Sequence, residues 1–392
     1  MTGTLSGALY VWDAKTAVCT EQLKGHAAAV ASVCPTSTGG FVTGGQDGYL
    51  KLWDAELLLL NAFELGSPVQ AVAADAKFTK LAAITAAASV HELVRDSGAS
   101  VRLLSAHAGG ASSIAPSPSD ADAYATCGPD GTVRIWSRAA RLETQALDVG
   151  YPCTSVAFAP DGKSVAVGLG GSEGGASEGK VIVVAGVGAG GALEVVVQQH
   201  SAKAAVAALA FAPDGTSLAV GSADNVVYLH AAADGYALFG ICDQHVAPVV
   251  ALDFSADSKY VRSACAGRDL KFCTALDGSK AEPEAMKELT WASETVPYGW
   301  HCKGCYPADA GALPAPPAQL TAFGKSPAAA PVLAAGDAMG VAHLFAYPAN
   351  EPGAGSTDIA AHVGAIGALA FTGAGALLTA GSSDGAILEW GL

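Results

Sequence analysis

The residues of this sequence with the clearest potential for chemistry are His26, Thr43 and Asp47. A histidine between a hydroxyl and a carboxylate is the composition of a hydrolase triad, in which the imidazole takes the hydroxyl proton and the carboxylate orients the imidazole. The same residue types recur at nearly the same spacing elsewhere in the chain, whereas an enzyme needs one active site. We therefore interpret these residues as structural and predict that the chain has no catalytic residue.

The repeated set also contains a tryptophan, which follows the aspartate by 6 residues, while the histidine precedes the aspartate by 21, 23 and 22 residues in the three copies. The copies are His26, Thr43, Asp47 and Trp53; His107, Thr126, Asp130 and Trp136; and His362, Asp384 and Trp390. We expect each set to form a chain of hydrogen bonds that links aspartate, histidine, threonine and tryptophan, because such a chain satisfies buried polar groups.

These hydrogen bonds require side chains from neighbouring strands of one small sheet. His26 and His107 lie 81 residues apart, which is two units of roughly 40 residues, the length of a four-stranded propeller blade. Apolar runs in the first complete unit predict strands at 30–33, 41–43 and 49–53, with an Asp-Gly hairpin turn before the third. The predicted fold class is therefore all-β, a β-propeller.

Units of this kind can be counted from about residue 66 to residue 392, whereas residues 1–13 carry only the last part of a unit. We predict a seven-bladed β-propeller over 66–392 and assign 1–65 to the last blades of an incomplete N-terminal propeller. A single ring of nine blades is the alternative.

The unit at 288–346 is irregular. We expect its first strand at 289–293, followed by an insertion over 300–331, before the pattern resumes with strands at 332–335 and 341–345.

The composition excludes several classes of partner. The 392 residues carry a net charge of −15, with a pI near 4.9, so the long-range field repels nucleic acid and anionic membranes. No apolar run approaches the roughly 18 residues of a membrane span. The nine cysteines are irregularly spaced, which favours buried free thiols in a reducing compartment. We expect a cytoplasmic protein with neither nucleic acid nor membrane as partner.

Two segments have features of ligand sites. His301, Cys302 and Cys305 have metal-like spacing, but a zinc site needs four ligands and no second pair follows, so we expect thiols in an irregular strand. The glycine-rich stretch 168–179 contains Glu173 and Glu178, which repel phosphate. We predict neither a metal nor a cofactor.

Charged residues in the predicted loops are the remaining candidates for contacts with a partner, because partners usually dock on the flat faces of a propeller. The candidate residues of such a partner face are Arg262, Arg268, Lys271, Lys280 and Lys287.

The intact units resemble WD-repeat β-propellers, with Trp12-Asp13, Trp53-Asp54 and Gly25-His26 matching the dipeptides that define that family. Less generic segments are similar to the echinoderm microtubule-associated-protein-like family, whose members carry two joined atypical propellers. These segments are 2–12, 41–48, 268–272, 289–293 with Trp300 and Tyr306-Pro307, and 341–348.

This resemblance implies a non-enzymatic scaffold that binds tubulin, microtubules or microtubule-bound proteins, located in the cytoplasm and cytoskeleton or in a ciliary or flagellar axoneme. A net charge of −15 gives no long-range attraction to the acidic surface of tubulin, so a place in a larger microtubule assembly suits the chain better than free lattice binding. The alternative function is a WD-repeat adaptor, either a ubiquitin-ligase substrate receptor or a signalling scaffold, that is unrelated to tubulin.

Overall fold

A computed structural model of the chain describes residues 1–391 except 14, 37–38, 76, 171–174, 176, 189, 307–318, 328–330 and 352. These described residues form short antiparallel strands joined by tight turns, with one α-helix, α1 (Pro283–Met286), and two 3₁₀ helices, Ala232–Asp234 and Trp300–Cys305. Strands predominate because short runs rich in valine, alanine and leucine alternate with glycine-containing turns, and such runs are too short for stable helices.

The chain divides into two compact units, Met1–Ala108 and Gly109–Leu392. The described strands of the first unit form three sheets, in each of which consecutive strands are neighbours. Sheet 1 consists of β1 (Thr2–Gly3), β2 (Ala8–Trp12) and β3 (Cys19–Lys24); sheet 2 of β4 (Val30–Pro35), β5 (Phe41–Gly45), β6 (Tyr49–Trp53) and β7 (Leu59–Glu64); and sheet 3 of β8 (Val69–Ala74), β9 (Lys80–Thr85), β10 (Ser89–Val94) and β11 (Ser100–Ser105).

The described strands of the second unit form six sheets with the same order of neighbours. Sheet 4 consists of β12 (Ser113–Pro116), β13 (Ala123–Cys127), β14 (Thr132–Ser137) and β15 (Leu142–Asp148); sheet 5 of β16 (Cys153–Phe158), β17 (Ser164–Leu169), β18 (Lys180–Ala185) and β19 (Glu194–His200); sheet 6 of β20 (Val206–Phe211), β21 (Ser217–Ser222), β22 (Val227–Ala231) and β23 (Ala237–Cys242); sheet 7 of β24 (Val249–Phe254), β25 (Tyr260–Cys265) and β26 (Leu270–Thr274); sheet 8 of β27 (Leu320–Lys325), β28 (Val332–Asp337), β29 (Val341–Ala346) and β30 (Ser356–Ala360); and sheet 9 of β31 (Ile366–Phe371), β32 (Leu377–Gly381) and β33 (Ile387–Trp390).

The all-β prediction is confirmed, and the strands predicted at 30–33, 41–43 and 49–53 correspond to β4, β5 and β6. The turn before β6 contains Gly48 with a φ of 82°, a conformation that glycine adopts without steric cost. Apolar side chains that alternate along these strands are buried between sheets, as Val42, Leu50 and Leu81 are between sheets 2 and 3.

The division between the units falls one sheet later than the predicted boundary at residue 65. Sheet 3, which the sequence partition placed in the ring of 66–392, packs through β8 on β4 and β5 of sheet 2 and lies in the first unit. The number of blades in each ring of the natural protein stays a prediction.

The second unit closes on itself. Successive sheets pack through their first strands, β12 on β16, β16 on β20 and β20 on β24, and likewise β27 on β31. β31 also packs on β12, which brings the last sheet of the unit against its first. Arg138, after β14, adds an ion pair to Glu389 of β33 at 2.9 Å. Six first strands therefore surround a common centre, as in a propeller.

One position in this ring has no regular sheet. The first strand predicted at 289–293 is wrong: within it, Trp291 forms only an isolated bridge to Ser255, and the strand that pairs with β28 is β27. Trp291 is 2% exposed and packs with Phe272, Met286 and Ala281 against sheet 7. The segment 281–306 therefore covers the side of sheet 7 with large apolar side chains in place of a complete blade.

A buried ion cluster holds this irregular segment. Arg262 of β25 is 2% exposed, and its Nη2 donates hydrogen bonds to Asp253 Oδ2 of β24 at 2.8 Å and to Glu294 Oε2 at 2.6 Å. The guanidinium also lies 4.5 Å from the centre of the Trp291 ring, at the distance of a cation–π contact. The prediction that Arg262 lies on an exposed partner face is thus wrong, because the side chain is enclosed by these groups.

The remaining polar atoms of the cluster are also satisfied. Asp253 accepts hydrogen bonds from the backbone N–H groups of Thr295 and Val296, both at 3.1 Å, and from the Ser293 hydroxyl. Glu294 accepts a bond from the Tyr347 hydroxyl at 2.8 Å. Two carboxylates and one guanidinium are buried at a large desolvation cost, which these hydrogen bonds offset only while every partner is in place.

The pKa of Glu294 reflects both the cost of burial and these stabilising contacts. Burial alone raises the pKa, but the hydrogen bond with His301 and the positive charge of Arg262 outweigh burial and hold the pKa at about 2, below the ordinary value of 4.5. Because the folded-state pKa is depressed, the carboxylate contributes stability that is present above pH 4.5 and is lost as the pH falls toward 2.

Replacing Glu294 with glutamine is expected to lower the free energy of unfolding at pH 6 by about 2–3 kcal/mol, because the charge that compensates Arg262 is removed. As the pH falls through the window from 4.5 to 2, the wild-type protein should lose this advantage and the difference from the variant should narrow. Urea denaturation of both proteins at several pH values measures the difference.

The matched control is Glu284→Gln, which removes an exposed carboxylate from α1. The difference in unfolding free energy between this control and the wild type should be the same at every pH. A difference between wild type and Glu294→Gln that is independent of pH would contradict the assignment of the low pKa to this carboxylate.

Candidate functional site

In the first unit, the set around His26 is a continuous chain of hydrogen bonds. His26 Nδ1 donates to Asp47 Oδ1 at 2.9 Å, and Nε2 lies 2.7 Å from the Thr43 hydroxyl oxygen. The Trp53 indole N–H donates to the same hydroxyl oxygen at 2.9 Å. Strands β5 and β6 supply Thr43 and Trp53, and the turns before β4 and β6 supply His26 and Asp47.

These hydrogen bonds occupy the side-chain groups that catalysis would need. Burial lowers the pKa of His26, so the ring is neutral at pH 7, accepts the Thr43 proton at Nε2 and donates from Nδ1. The Thr43 oxygen is 0% exposed and already accepts the indole N–H, so no lone pair faces a substrate. The arrangement fixes blade geometry and offers no nucleophile.

The set around His362 repeats this geometry and adds a residue that the sequence pattern missed. His362 Nδ1 donates to Asp384 Oδ2 at 3.0 Å, and both His362 Nε2, at 2.9 Å, and the Trp390 indole N–H, at 3.1 Å, bond to Thr379. Thr379 precedes Asp384 by five residues, whereas Thr43 precedes Asp47 by four. The extra residue in the turn hid Thr379 from a search at fixed spacing.

The third set is divided by the boundary between the units. Thr126, Asp130 and Trp136 belong to sheet 4, where the Trp136 indole N–H donates to the Thr126 hydroxyl at 2.7 Å. Arg134 of β14 lies 3.6 Å from Asp130. His107 lies in the first unit and is 2% exposed.

Sheet 7 carries an altered version of the set. His245 Nε2 bonds to the Ser263 hydroxyl at 2.7 Å, as His26 bonds to Thr43. Four residues after Ser263, where the turns of sheets 2 and 4 have aspartate, the chain has Gly267. Among the described residues, the buried Nδ1 of His245 has no hydrogen-bond partner. The next residue, Arg268, takes the place of glycine with a φ of 66°. This turn has no carboxylate at the usual position, and its remaining carboxylate, that of Asp269, pairs with Lys271.

The cations predicted to lie on a partner face are distributed as follows. Arg268, Lys280 and Lys287 are exposed, and Lys271 is half-buried. Lys271 pairs with Asp269 at 3.0 Å and Lys280 with Glu282 at 3.7 Å, whereas no ion pair is seen for Arg268 or Lys287 within the described part of the chain. All four belong to sheet 7 or to the loop that follows it.

The centre of the second unit contains a cavity of about 490 Å³. Residues of the first strand of each of its sheets line the cavity, and the segment 295–298 lines it at the position between sheets 7 and 8. Most of the polar lining consists of hydroxyl groups, including those of Ser112, Ser113 and Thr154, and the charged side chain in the lining is Arg268.

A second cavity of about 480 Å³ lies beside the first. Its lining is aromatic and proline-rich, with Tyr298 and Tyr306 stacked at 6.3 Å and Trp300 stacked on Phe272 at 5.7 Å. Lys303 is its charged lining residue. Pro297 and Tyr298 line both cavities, so the two are adjacent.

The described residues contain no cluster of three or more potential metal ligands. His301, Cys302 and Cys305 lie on a 3₁₀ helix instead of the expected irregular strand. Burial raises the pKa of each of these two thiols to about 12, so both stay protonated at pH 7. All nine cysteines are free, and Cys19 is exposed rather than buried as expected.

The glycine-rich stretch 168–179 lies partly outside the described residues, and Glu173 is among those outside. None of the helices in the described ranges has the length and hydropathy needed to cross a lipid bilayer.

Comparison with known proteins gives the family. The sequence profile described as the second β-propeller of echinoderm microtubule-associated protein matches residues 111–392, and the profile of the WD domain, G-beta repeat, matches residues 17–54. The first match spans nearly all of the second unit, which includes both cavities.

Relatives with similar sequences include the ciliary WD repeat-containing protein ctxp80 of Euplotoides octocarinatus, 26% identical over 99% of this chain and 54% of that protein. Human echinoderm microtubule-associated protein-like 2 is 27% identical over 100% of this chain and 59% of that protein. The chain thus spans between half and three-fifths of the length of these relatives. The solved β-propeller domain of Cps50 (Swd1) from Myceliophteria thermophila superposes with a TM-score of 0.37 at 13% identity, over 69% of this chain and 91% of that one.

Replacing Thr43 with valine tests the structural role of the hydrogen-bonded set. The variant keeps the side-chain shape but leaves His26 Nε2 and the Trp53 indole N–H without a partner, so the free energy of unfolding should fall by about 2–4 kcal/mol. Chemical denaturation followed by tryptophan fluorescence measures this loss.

Thr20→Val is the matched control, because it is the same change at an exposed position of β3 in the same unit. It should alter stability by less than about 0.5 kcal/mol. Equal effects of the two substitutions would show that the buried hydroxyl has no special role.

Proposed function

Because the chain belongs to the echinoderm microtubule-associated protein family, as its match to the second β-propeller of that family shows, we propose that it is a non-enzymatic scaffold that binds microtubules or microtubule-bound proteins. The observation that carries the proposal is the match over residues 111–392, which covers most of the chain. The names of the relatives, among them echinoderm microtubule-associated protein-like 2, support the same type of partner.

A scaffold role agrees with the chemistry of the repeated polar sets. The sets around His26 and His362 use their hydroxyl groups within the fold, and buried protonated thiols do not act as nucleophiles. A propeller of this kind has flat faces and rims on which several proteins can dock at once. We also propose a location in the cytoplasm and cytoskeleton, which the microtubule-associated and ciliary names of the relatives support.

A place in a ciliary or flagellar axoneme is the finer proposal. Its support is the ciliary relative ctxp80, which is similar over 99% of this chain. A net charge of −15 also favours a fixed place among other proteins over free diffusion onto an acidic lattice, because like charges repel beyond the contact distance.

The face that we propose for the partner is the side of sheet 7 with Arg268, Lys271, Lys280 and Lys287. These cations lie within 20 residues of one another in the sequence. Three of them are exposed. The stretch 268–287 also carries four carboxylates, two of which pair with Lys271 and Lys280. Arg268 and Lys287, for which no ion pair is seen among the described residues, are therefore the cations that we propose for contact with an acidic protein.

Co-sedimentation with taxol-stabilised microtubules, alone and in the presence of axonemal extract, tests the function. The wild-type protein should pellet at low salt in at least one of the two mixtures, and the pelleted fraction should fall as salt is added because the contact is electrostatic. Absence from the pellet in both mixtures would reject the microtubule proposal in favour of an adaptor unrelated to tubulin.

A charge-reversal variant tests the face. Changing Arg268, Lys271, Lys280 and Lys287 together to glutamate should reduce the pelleted fraction at low salt. The matched control reverses four exposed lysines elsewhere, Lys24, Lys77, Lys163 and Lys203, and has the same net charge. If both variants lose binding equally, total charge and not this face determines the interaction.

A further inference from the structure

The turn between β25 and β26 differs from its counterparts in a way that points to a ligand. Gly267 replaces the turn aspartate, and Arg268 occupies the left-handed conformation with a φ of 66°, where the corresponding turn in sheet 4 has Gly131. A bulky residue with positive φ carries backbone strain, and such strain is concentrated at functional sites.

The missing carboxylate leaves one ring nitrogen of the neighbouring histidine without its usual partner. His245 is 7% exposed, and among the described residues its Nδ1, which in the complete sets donates to aspartate, has no hydrogen-bond partner. Arg268, in the turn after β25, is exposed, and the neighbouring Asp269 pairs with Lys271 at 3.0 Å. The turn therefore keeps one carboxylate, that of Asp269, but Lys271 neutralises it, and no counter-charge for the Arg268 guanidinium is seen in the described part of the chain.

Arg268 also lines the central cavity, whose other lining groups are uncharged or hydroxyl-bearing. Pro297 and Tyr298 line both this cavity and the second one, so the two cavities are adjacent, with Arg268 in the lining of one and Lys303 in the lining of the other. Lys303 is exposed, and no ion pair is seen for it among the described residues. We call these two adjacent cavities the Arg268–Lys303 groove.

The aromatic, proline and positively charged residues of the lining indicate what kind of ligand fits the groove. Aromatic rings alternating with prolines bind extended, proline-containing peptides, because such peptides lose little conformational entropy on binding and their rings pack flat on aromatic faces. Arg268 and Lys303 are the charged side chains that line the two cavities, and both are positive in a protein with a net charge of −15. Glu282 and Glu284 flank Pro283 in the sequence, at the lining residue contributed by α1, and disfavour an acidic group there.

We propose that the Arg268–Lys303 groove binds an extended peptide segment of a partner protein in which carboxylates flank proline or large apolar residues. One carboxylate pairs with the Arg268 guanidinium at the mouth of the central cavity, the apolar residues pack on Tyr298 and Trp300, and a second carboxylate pairs with Lys303. This site is independent of the microtubule assignment, since any partner with such a segment satisfies it.

Fluorescence anisotropy with a fluorescein-labelled synthetic decapeptide of alternating glutamate pairs and Leu-Pro pairs tests the proposal at low salt. Saturable binding is expected, with loss of binding when every glutamate of the peptide is replaced by glutamine. Arg268→Glu and Lys303→Glu should each weaken binding at least about fivefold, because a charge-assisted contact is replaced by repulsion.

Two further variants separate binding from folding. Arg268→Gly removes the cation, and glycine adopts the positive φ without strain. The variant should therefore raise or preserve the melting temperature of the protein while weakening its binding of the peptide at least about fivefold. Lys203→Glu makes the same charge reversal at an exposed site before sheet 6 and should leave peptide affinity unchanged.

Three results would overturn the proposal: no saturable binding of the decapeptide, equal affinity of wild type and Arg268→Gly, or equally tight binding of a glutamate homodecamer that lacks apolar residues. The last would show general attraction of polyanions rather than recognition in a groove. Because the assay contains no tubulin, its outcome is separate from that of the co-sedimentation experiment.

Discussion

The second unit depends on the guanidinium of Arg262, which has no access to water and must find its counter-charges inside the protein. It donates hydrogen bonds to Asp253, 9 residues before it in the sequence, and to Glu294, 32 residues after it. Those bonds fix the irregular segment against sheet 7, so that Trp291 covers an apolar face that would otherwise meet solvent. A blade normally covers its neighbour with a complete sheet, whereas here an ion cluster and a few large side chains do so. Removing one charge leaves another unpaired, so the segment is held in a single arrangement.

The same requirement, that buried polar groups have partners, explains the contrast between the regular and the altered sets. Around His26 and His362 every donor and acceptor is used within the blade, and the chemistry of these residues ends there. In sheet 7 glycine stands in place of the aspartate, His245 Nδ1 is buried without a hydrogen-bond partner among the described residues, and the next residue, Arg268, is exposed. A turn that departs from the repeat therefore differs in chemistry from the other turns, and such differences are what allow a surface to distinguish one partner from another.

Much of the fold followed from the sequence, because alternating apolar residues and Asp-Gly turns are local signals that identify β4, β5 and β6 within two residues. The failures have non-local causes. Arg262 looked like a surface charge, since its partners are distant in sequence and only the packed structure brings them together. Thr379 was missed because one extra turn residue changed the spacing. The strand expected at 289–293 has the right residue types, but tertiary packing uses its tryptophan to cover sheet 7. The strand that pairs with β28 is β27, which lies within the stretch 300–331 that was expected to be an insertion.

Closure of the second unit has a consequence for the timing of its synthesis. The ion pair between Arg138 and Glu389 joins residues 251 positions apart, and β12 cannot pack on β31 until both have left the ribosome. At about 5–20 residues per second, roughly 10–50 s pass between the appearance of the first sheet and that of the last. During that interval the open flank of β12 is an apolar edge without its neighbour, exposed to other nascent chains. Until β31 emerges, the last contact that closes the ring is missing, so closure of the second unit is a late, post-translational step.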